Sequence, residues 1–293
     1  MGVLTPGHAP AQKAPWWTAV DAKSVAVPDE RLIVPDSFRT IAIDFENLEA
    51  ALKSTPMESA DRKGTVCAMD FPMPDGKTRT FSIVESPVMA PELSAKYPVI
   101  RTYAGMSING APATMRFDVT PLGFHAMIFT TEGTVFIDPY SRIHMGFHIV
   151  CFEKDLKWRP ERGEFPKCGN TEVPGSGISG KPSGLSSTGG SSTTTINPVG
   201  EEKRTYRAAI AAAAEYTAHF SPSNPPDKIY GLSGIVTAMN RINAIYEREL
   251  AIRLVLVANN DEIVYIDPVM DPYHCLSSGV SCDSRLLAEN QRT

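Results

Sequence analysis

The chain has 293 residues, of which 42% are hydrophobic and 21% are charged, with 28 Lys and Arg against 33 Asp and Glu. At roughly 150 residues per domain this length predicts two domains, and the ordinary composition argues against a disordered chain or a coiled coil. The net charge of -5 provides no basic surface for nucleic acid, and no apolar run reaches the ~20 residues that a membrane helix needs.

The start of the chain does not resemble a secretory signal peptide, because it contains early prolines and no apolar h-region. Two interpretations follow, a cytoplasmic protein or an incomplete start. The cysteines show neither CxxC nor zinc-finger spacing, so composition leaves the redox compartment open. They are Cys67, Cys151, Cys168, Cys275 and Cys282.

The residues before position 169 predict a β-rich unit with two short helices. A strand pattern runs from Arg39 to Asp44, and a helical pattern follows over residues 46–54. Two strand-like segments flank Pro74-Asp75-Gly76, a turn sequence in which Gly tolerates positive φ, so they predict a hairpin. Short apolar segments between residues 113 and 153 predict an antiparallel meander.

Residues 169–200 divide the chain. They are rich in Gly, Ser and Thr, contain no aromatic residue, and carry charge only at Glu172 and Lys181. Such a segment cannot bury enough apolar surface to offset its chain entropy. It predicts a flexible, protease-accessible linker between two folded parts.

After the linker, apolar residues at steps of three or four predict a helix from about Gly234 to Glu249, with Ser233 as its N-cap. Residues 251–268 predict two strands around an Asn-Asn-Asp turn. Residues 204–217 are ambiguous, because their alanines favour a helix whereas the flanking tyrosines suit a sheet. The pattern alone favours the helix.

His144 and His148 have the H-x3-H spacing of a zinc protease motif, but Met145 stands where the general-base Glu belongs. Their context is strand-like, and residues four apart in a strand lie about 13 Å apart, too far to share one metal ion. We interpret them as two sheet histidines. The sequence also contains no G-x-S-x-G motif and no phosphate-binding loop with Lys, so these residues assemble no active site.

Two stretches nevertheless resemble a known family. Residues 39–140, with the string ESPVMAPELSAKYP, are similar to the propeptide of bacterial reprolysin-like zinc metalloproteases, a metzincin branch related to the adamalysins. Residues 204–293, with the string NAIYEREL, are similar to the start of that family's catalytic domain. The resemblance implies an α+β protein, in which a β-rich propeptide with short helices precedes the first strand, helix and strands of a metzincin-like α/β domain.

The resemblance also implies four segments. Residues 1–38 would form an extended amino-terminal arm, residues 39–168 the propeptide domain, residues 169–200 the linker, and residues 201–293 the amino-terminal part of the catalytic domain. Residues 204–217 would then be the first strand of the catalytic sheet, with tertiary context overriding the propensity of alanine. The strand in residues 251–257 would be buried, as its nearly continuous apolar run indicates.

The zinc motif of the family, HExxHxxGxxH, is absent from the chain. Zinc is therefore expected in the full-length family member, and we predict no catalytic residue and no metal ligand among these residues. The expected function is that of the pro-region and partial catalytic domain of a secreted or extracellular zinc metalloendopeptidase, not proteolytic as this chain stands. Its partner would be its own missing carboxy-terminal catalytic portion.

Cys168 lies in the string PKCG, which is similar to the cysteine-switch segments of metalloprotease propeptides. A thiolate is a strong fourth zinc ligand and would displace the catalytic water, which keeps an enzyme latent. The alternative is a free or disulfide-bonded cysteine at a domain edge. An activating protease would release the block by cutting between residues 169 and 204, with Lys203-Arg204 as a candidate basic site.

If Cys168 is the switch thiol, the other four cysteines allow two disulfides in three pairings, with Cys275 and Cys282 as the nearest pair. Residues 247–249 are interpreted as a solvated helix face rather than an ion site. Asp267 and Asp271 are interpreted as turn caps rather than calcium ligands.

Trp16 and Trp17 leave two interpretations open, a surface for a partner or a clamp that fixes the amino-terminal arm to the propeptide. Two alternatives to a zymogen also remain. One is a stand-alone binding or inhibitory module that docks onto a separate protease, and the other is a degenerate remnant. An in-frame HExxHxxGxxH beyond Thr293 would distinguish the zymogen from the stand-alone module, and failure to express a soluble product would favour the remnant.

Overall fold

The computed structural model describes residues 15–25, 31–58, 67–142, 144–156, 202–273 and 290. Within them, an antiparallel sheet of nine strands is combined with a pair of parallel strands and four α-helices. An α+β composition is therefore confirmed. We call the described residues up to position 156 the sheet unit and residues 202–273 the helix unit. No described helix is both long enough and apolar enough to cross a membrane.

The sheet unit consists of one curled antiparallel sheet. Its strands in chain order are β1 (Trp17–Val20), β2 (Arg39–Ile43), β3 (Cys67–Pro72), β4 (Thr78–Glu85), β5 (Arg101–Ser107), β6 (Thr114–Thr120), β7 (Gly123–Thr130), β8 (Gly133–Pro139) and β9 (Phe147–Phe152). Their spatial order is β1-β2-β9-β8-β7-β6-β5-β4-β3. Strands β3 to β9 are thus sequential neighbours, which confirms the predicted meander, and β2 pairs with β9.

Local sequence explains the turns and short helices of this unit. The predicted hairpin joins β3 to β4 through a turn in which Gly76 has a φ of +86°. Helix α1 (Phe45–Leu52) begins after Asp44, whose carboxylate accepts a hydrogen bond from the Asn47 amide at 3.0 Å. Helix α2 (Pro91–Lys96) begins with a proline, which lacks an amide that would otherwise be unpaired.

The helix unit contains β10 (Arg204–Ala208), α3 (Ala214–Phe220), α4 (Lys228–Glu249) and β11 (Ile252–Leu256). Strands β10 and β11 pair in parallel, and α4 lies between them in the chain. A parallel pair requires such a crossover, since its strands run in the same direction.

The ambiguous residues 204–217 form neither one helix nor one strand, so both predictions are wrong over part of their length. The first five residues are strand β10, and a helix begins only at Ala214. Backbone bonds from the Ala212 amide to the Ile263 carbonyl, at 3.0 Å, and from Tyr265 to Ala212, at 2.9 Å, keep the intervening residues extended. Tertiary hydrogen bonds thus override the helix propensity of alanine.

Helix α4 begins earlier than predicted, at Lys228, and its N-cap is Asp227 rather than Ser233. The Ser233 hydroxyl donates to the Ile229 carbonyl at 2.6 Å inside the helix. The sequence pattern fails here because Gly231 and Gly234 are poor helix formers. A Cβ at Gly231 would lie 2.7 Å from Thr217 Oγ1, so close packing of α3 on α4 explains these glycines.

The second predicted strand, after the Asn-Asn-Asp turn, is also wrong. Residues Asn260–Ile263 form a 3-10 turn, and only Val264 makes a bridge, to Ala212. Strand β11 is less buried than its apolar sequence predicts, because only Leu256 is fully buried. Its apolar run therefore does not indicate a strand buried on both faces.

Two of the four hydrophobic clusters among the described residues are much larger than the others. The larger lies on one face of the nine-stranded sheet and is rich in aromatic residues. The second is shared, because Val88 and Leu93 of the sheet unit pack with Leu232, Met239 and Leu256 of the helix unit. The assignment of the domain boundary to residues 169–200 stays a prediction, since that segment lies outside the described residues.

Candidate functional site

The face of the sheet opposite the large core carries the contact with α4, and Arg116 of β6 lies at its centre. Arg116 is buried, with its Nε donating to Asn240 Oδ1 at 3.1 Å and its NH2 donating to Ser86 Oγ at 2.9 Å. Its NH1 lies 3.4 Å from a Glu247 carboxylate oxygen. Burial lowers the pKa of Arg116 to about 10 despite the Glu247 charge, so the guanidinium remains charged and depends on these partners.

Asp118, two residues further along β6, is a second buried polar residue at this contact. It accepts hydrogen bonds from Thr237 Oγ1 at 2.8 Å and from Asn240 Nδ2 at 3.3 Å, both on α4. His125 of β7 lies 3.3 Å from the same carboxylate through Nδ1. Asn240 thus joins Arg116 to Asp118, which matches the polar positions of β6 to the polar positions of α4.

A cluster of charges continues from Arg116 to the edge of the contact. Arg253 of β11 donates to both oxygens of Glu58, at 2.6 and 3.0 Å, and to both oxygens of Glu247, at 2.6 and 3.0 Å. Lys203 Nζ lies 3.2 Å from Glu58 and 3.6 Å from Glu247. Ser86 Oγ donates to Glu58 at 2.6 Å. One guanidinium therefore joins a carboxylate of the sheet unit to a carboxylate of the helix unit.

The electrostatics of this cluster favour its charged form. Burial by itself would raise the pKa of Glu58, but hydrogen bonds from Arg253 and Ser86, with the charges of Arg253 and Lys203, lower that pKa to about 2. Burial opposes the ionisation of Arg253, yet its bonds to Glu247 and Glu58 raise its pKa. Both groups are thus ionised at neutral pH.

Backbone pairing adds a third kind of contact between the units. The Leu256 amide donates to the Val88 carbonyl at 2.8 Å, and the Ala90 amide donates to the Leu256 carbonyl at 2.9 Å. Met89 makes a parallel bridge with Leu256. The sheet unit therefore lends a short extended segment to the edge of β11, as in recognition by strand addition.

A smaller polar contact lies at the end of α2. Lys96 Nζ lies 3.1 Å from the Asp261 carboxylate, and Tyr97 donates to it at 3.4 Å. Lys228 Nζ donates to the Asp261 carbonyl at 2.8 Å, which ties the same turn to the start of α4. These groups are partly exposed, so this contact adds little to the stability of the protein and mainly orients the two units.

The cysteines predicted to act in function, Cys168, Cys275 and Cys282, lie outside the described residues. Cys67 and Cys151 are both free thiols, which excludes two disulfides among the four cysteines other than Cys168, and the pair Cys275–Cys282 stays a prediction. Cys67 begins β3 at one edge of the sheet, whereas Cys151 is buried in β9 between β2 and β8. The sheet thus separates the two thiols by several strands, and burial raises the pKa of Cys151 to about 12.

The two histidines of the H-x3-H motif lie in different settings. His148 is a fully buried sheet histidine in β9, with its ring 6.2 Å from Phe45 and 6.0 Å from Phe124, and burial lowers its pKa to about 3. His144 precedes the strand, where its amide donates to Ser141 Oγ at 3.0 Å, so its assignment to the sheet is wrong. In the described residues no three His, Cys, Asp or Glu side chains are arranged to hold a metal ion.

The solvated face predicted for residues 247–249 is correct only in part. Arg248 and Glu249 pair with each other at 2.8 Å on the surface, and Arg248 covers the Phe129 ring. Glu247 instead belongs to the charge cluster at the contact between the units. Helix α4 places Glu247 on the side that faces β6. The spacing of residues in the sequence does not reveal that this side is covered.

The tryptophans clamp the amino-terminal segment to the sheet. Trp16 is buried and packs edge-on against Phe71, with ring centroids 5.2 Å apart. Trp17 Nε1 donates to the Asp70 carbonyl at 2.9 Å. Of the two interpretations left open for these residues, the clamp agrees with these contacts.

Asp267 and Asp271 cap turns, as predicted, and Asp271 also binds the first amide of α3. The buried Asp271 carboxylate accepts from the Ala214 amide at 2.5 Å, at the start of α3, and from the Tyr273 amide at 2.7 Å. Asp267 accepts from the Val269 amide at 2.9 Å. Both carboxylates therefore have a local structural role.

Sequence reasoning missed Glu58, Arg116, Asp118 and Arg253. A signal was present in β6, where Arg116 and Asp118 alternate with apolar residues, but such alternation usually means a solvated face. Another signal lay in the two specific strings, because ESPVMAPELSAKYP contains Ser86 and NAIYEREL contains Glu247. The structure brings these strings together at the contact.

Residues 202–290 match the model of a known family, described as "Metallo-peptidase family M12B Reprolysin-like". The helix unit is thus similar to reprolysin-like metallopeptidases. The match includes α4, Glu247 and Arg253, so the reprolysin-like side of the contact supplies half of the charge cluster. The family is zinc-dependent in general, but no described residues of this chain fit a zinc site, and we derive no catalytic step through the metal.

No curated protein matches the chain. Among solved structures, a chain from "Structure of a chaperone-substrate complex" is 18% identical, with a TM-score of 0.27, over 45% of this chain and 97% of that chain. The resemblance to a known family rests on residues 202–290.

Proposed function

We propose that the chain comprises the pro-region and the first part of the catalytic domain of a secreted zinc metalloendopeptidase. The sheet unit would be the pro-region, and the reprolysin-like helix unit would be the part of the peptidase that it holds. The observation that carries this proposal is the contact itself, in which a core, a charge cluster and a strand edge are all shared between the two units.

The same contact indicates how a pro-region would assist folding. Without the sheet unit, Val88 and Ala90 would no longer cover the edge of β11, and an uncovered edge invites pairing with other chains. Lys203 and Arg253 would lose Glu58, and part of the shared apolar core would face water. The helix unit by itself would therefore be a poor folding unit.

We further propose that latency depends on Cys168. Its thiolate would take the open coordination position of the zinc, which would come from the remainder of the catalytic domain. An activating protease would cut the linker and allow the thiol to leave. The position of PKCG directly before the linker supports this arrangement, since a cut in the linker would remove the covalent connection between Cys168 and the peptidase part of the chain.

The test uses this chain joined to the residues that follow it in the complete protein. We expect the full protein to contain one zinc and to cleave peptides only after the linker has been cut, whereas Cys168→Ala should raise peptidase activity at least about tenfold without a cut. Cys67→Ala is the matched control and should stay latent. Unchanged latency in Cys168→Ala would exclude the switch, and a full protein without HExxHxxGxxH would exclude the peptidase.

A further inference from the structure

We propose that Glu58, Ser86, Arg116, Lys203, Glu247 and Arg253 form a charge latch that keeps the two units bound after the chain between them has been cut. The proposal rests on the proposed function in treating the sheet unit as a pro-region. It adds a mode of regulation: cutting the linker and releasing the pro-region become two separate events.

The latch is reciprocal. The sheet unit contributes an acid and a base, Glu58 and Arg116, and the helix unit contributes Glu247 with Lys203 and Arg253. Three of the ion pairs cross the contact: Arg253 to Glu58 at 2.6 Å, Lys203 to Glu58 at 3.2 Å, and Arg116 to Glu247 at 3.4 Å. Because both signs occur on both sides, a displaced or mismatched arrangement would bring like charges together.

The latch does not depend on the connection between the units. All six of its residues lie outside residues 157–201, and so do Val88 and Leu256, whose backbone bond lies beside it. Cutting within residues 169–200 would therefore leave every one of these contacts in place. The apolar core shared by the units would also remain.

Separation is costly for one member in particular. Arg116 has only 4% of its side chain exposed, and its Nε partner Asn240 and its ion-pair partner Glu247 both lie on α4. Removing α4 would leave the buried Arg116 guanidinium without these two partners. Cutting the linker lowers the effective concentration of one unit at the other but does not change the affinity of their direct contact.

Glu58 makes the latch sensitive to salt. Its side chain is 31% exposed, so mobile ions can reach the pairs that it forms with Arg253 and Lys203. Raising the ionic strength should weaken these pairs while leaving the apolar core nearly unchanged. The strength of the latch can thus be measured in the unaltered protein.

The experiment places the recognition sequence of a site-specific protease within residues 180–190 of the whole chain. After complete cutting, size-exclusion chromatography over a dilution series gives the dissociation constant of the two fragments. We expect the fragments to co-elute, and the dissociation constant to rise about tenfold or more in Glu58→Gln and in Arg253→Gln. The double variant should lose less than the product of the two single losses, because the residues contact each other.

Glu132→Gln is the matched control, since it makes the same change at an exposed carboxylate 4.0 Å from Arg79 within the sheet unit. Its two fragments should have the same dissociation constant as the fragments of the unaltered protein. If either latch variant fails to fold before cutting, the salt series decides: between about 50 mM and about 1 M salt, the dissociation constant of the unaltered fragments should rise several-fold.

Separation of the unaltered fragments at low salt, or binding by Glu58→Gln as tight as that of the unaltered protein, would overturn the latch. A dissociation constant that does not change with salt concentration would also overturn it. None of these measurements uses peptidase activity or zinc, so the latch can fail while the proposed function stands. Conversely, co-eluting fragments together with a full protein that lacks HExxHxxGxxH would retain the latch and reject the peptidase.

Discussion

The two faces of the nine-stranded sheet are buried in different ways, one by apolar contacts and the other by polar contacts. On one face, aromatic side chains such as Phe71, Phe117 and Phe124 are fully buried against one another. On the other face, Arg116 and Asp118 are just as buried but are matched to polar groups of α4. Burial of an apolar face against any apolar surface stabilises the protein. A buried polar face is stable only against a partner with complementary polar groups.

This difference bears on function. The apolar face belongs to the sheet unit alone and holds it together, so it need not distinguish one partner from another. The polar face meets the reprolysin-like helix unit, and its ion pairs select the position of that unit. We therefore expect stability to reside mainly in the first face and recognition in the second.

The largest effect should follow from disrupting the apolar face. Phe117 is fully buried and stacks on Tyr103 with ring centroids 4.7 Å apart. We expect Phe117→Ala to lower the free energy of unfolding by about 3–5 kcal/mol, since the cavity adds to the lost transfer free energy. Urea denaturation measures this change. Ile108→Ala, at a half-exposed position, should change stability by less than about 1 kcal/mol.

An intermediate effect should follow from disrupting the polar face. Arg116→Ala removes the partner of Glu247, Asn240 and Ser86 together, which we expect to cost about 3 kcal/mol in the free energy of unfolding. The same urea experiment applies. If this loss exceeded that of Phe117→Ala, the proposed division between a stabilising face and a recognition face would have to be reversed.

A smaller effect should appear as a pH dependence on the apolar face, where His148 is the polar exception. Its pKa is about 3 in the folded protein against an ordinary value of 6.5, so its contribution to stability is complete above pH 6.5 and is lost as the pH falls towards 3. We expect a loss of about 2 kcal/mol between pH 7 and pH 5 from this group.

The measurement is urea denaturation at several pH values with His148→Phe, which keeps a ring of similar shape among Phe45 and Phe124. This variant should flatten the pH dependence in that range. His219→Gln, at an exposed position, is the control and should retain most of it. An equal slope in His148→Phe and the unaltered protein would assign the dependence to other groups.

Local sequence determined much of the sheet unit. Strand β2, helix α1 and the hairpin at Gly76 were predictable because alternation, an Asp N-cap and a turn glycine act over a few residues. The resemblance of residues 204–293 to reprolysin-like proteases was also visible in the sequence, and the family match over residues 202–290 confirms it. These features require no knowledge of what lies across the molecule.

The tertiary structure alone decided where α4 begins, how residues 204–217 divide, and which charged residues are buried. Thr217 packs so closely against α4 that position 231 has no room for a Cβ. Glu247 and Arg116 are covered because two segments far apart in the chain meet there. A charged residue in an alternating strand looks the same in sequence whether it faces water or a partner. Only the position of α4 distinguishes the two, since burial is a property of the packed molecule and not of the residue.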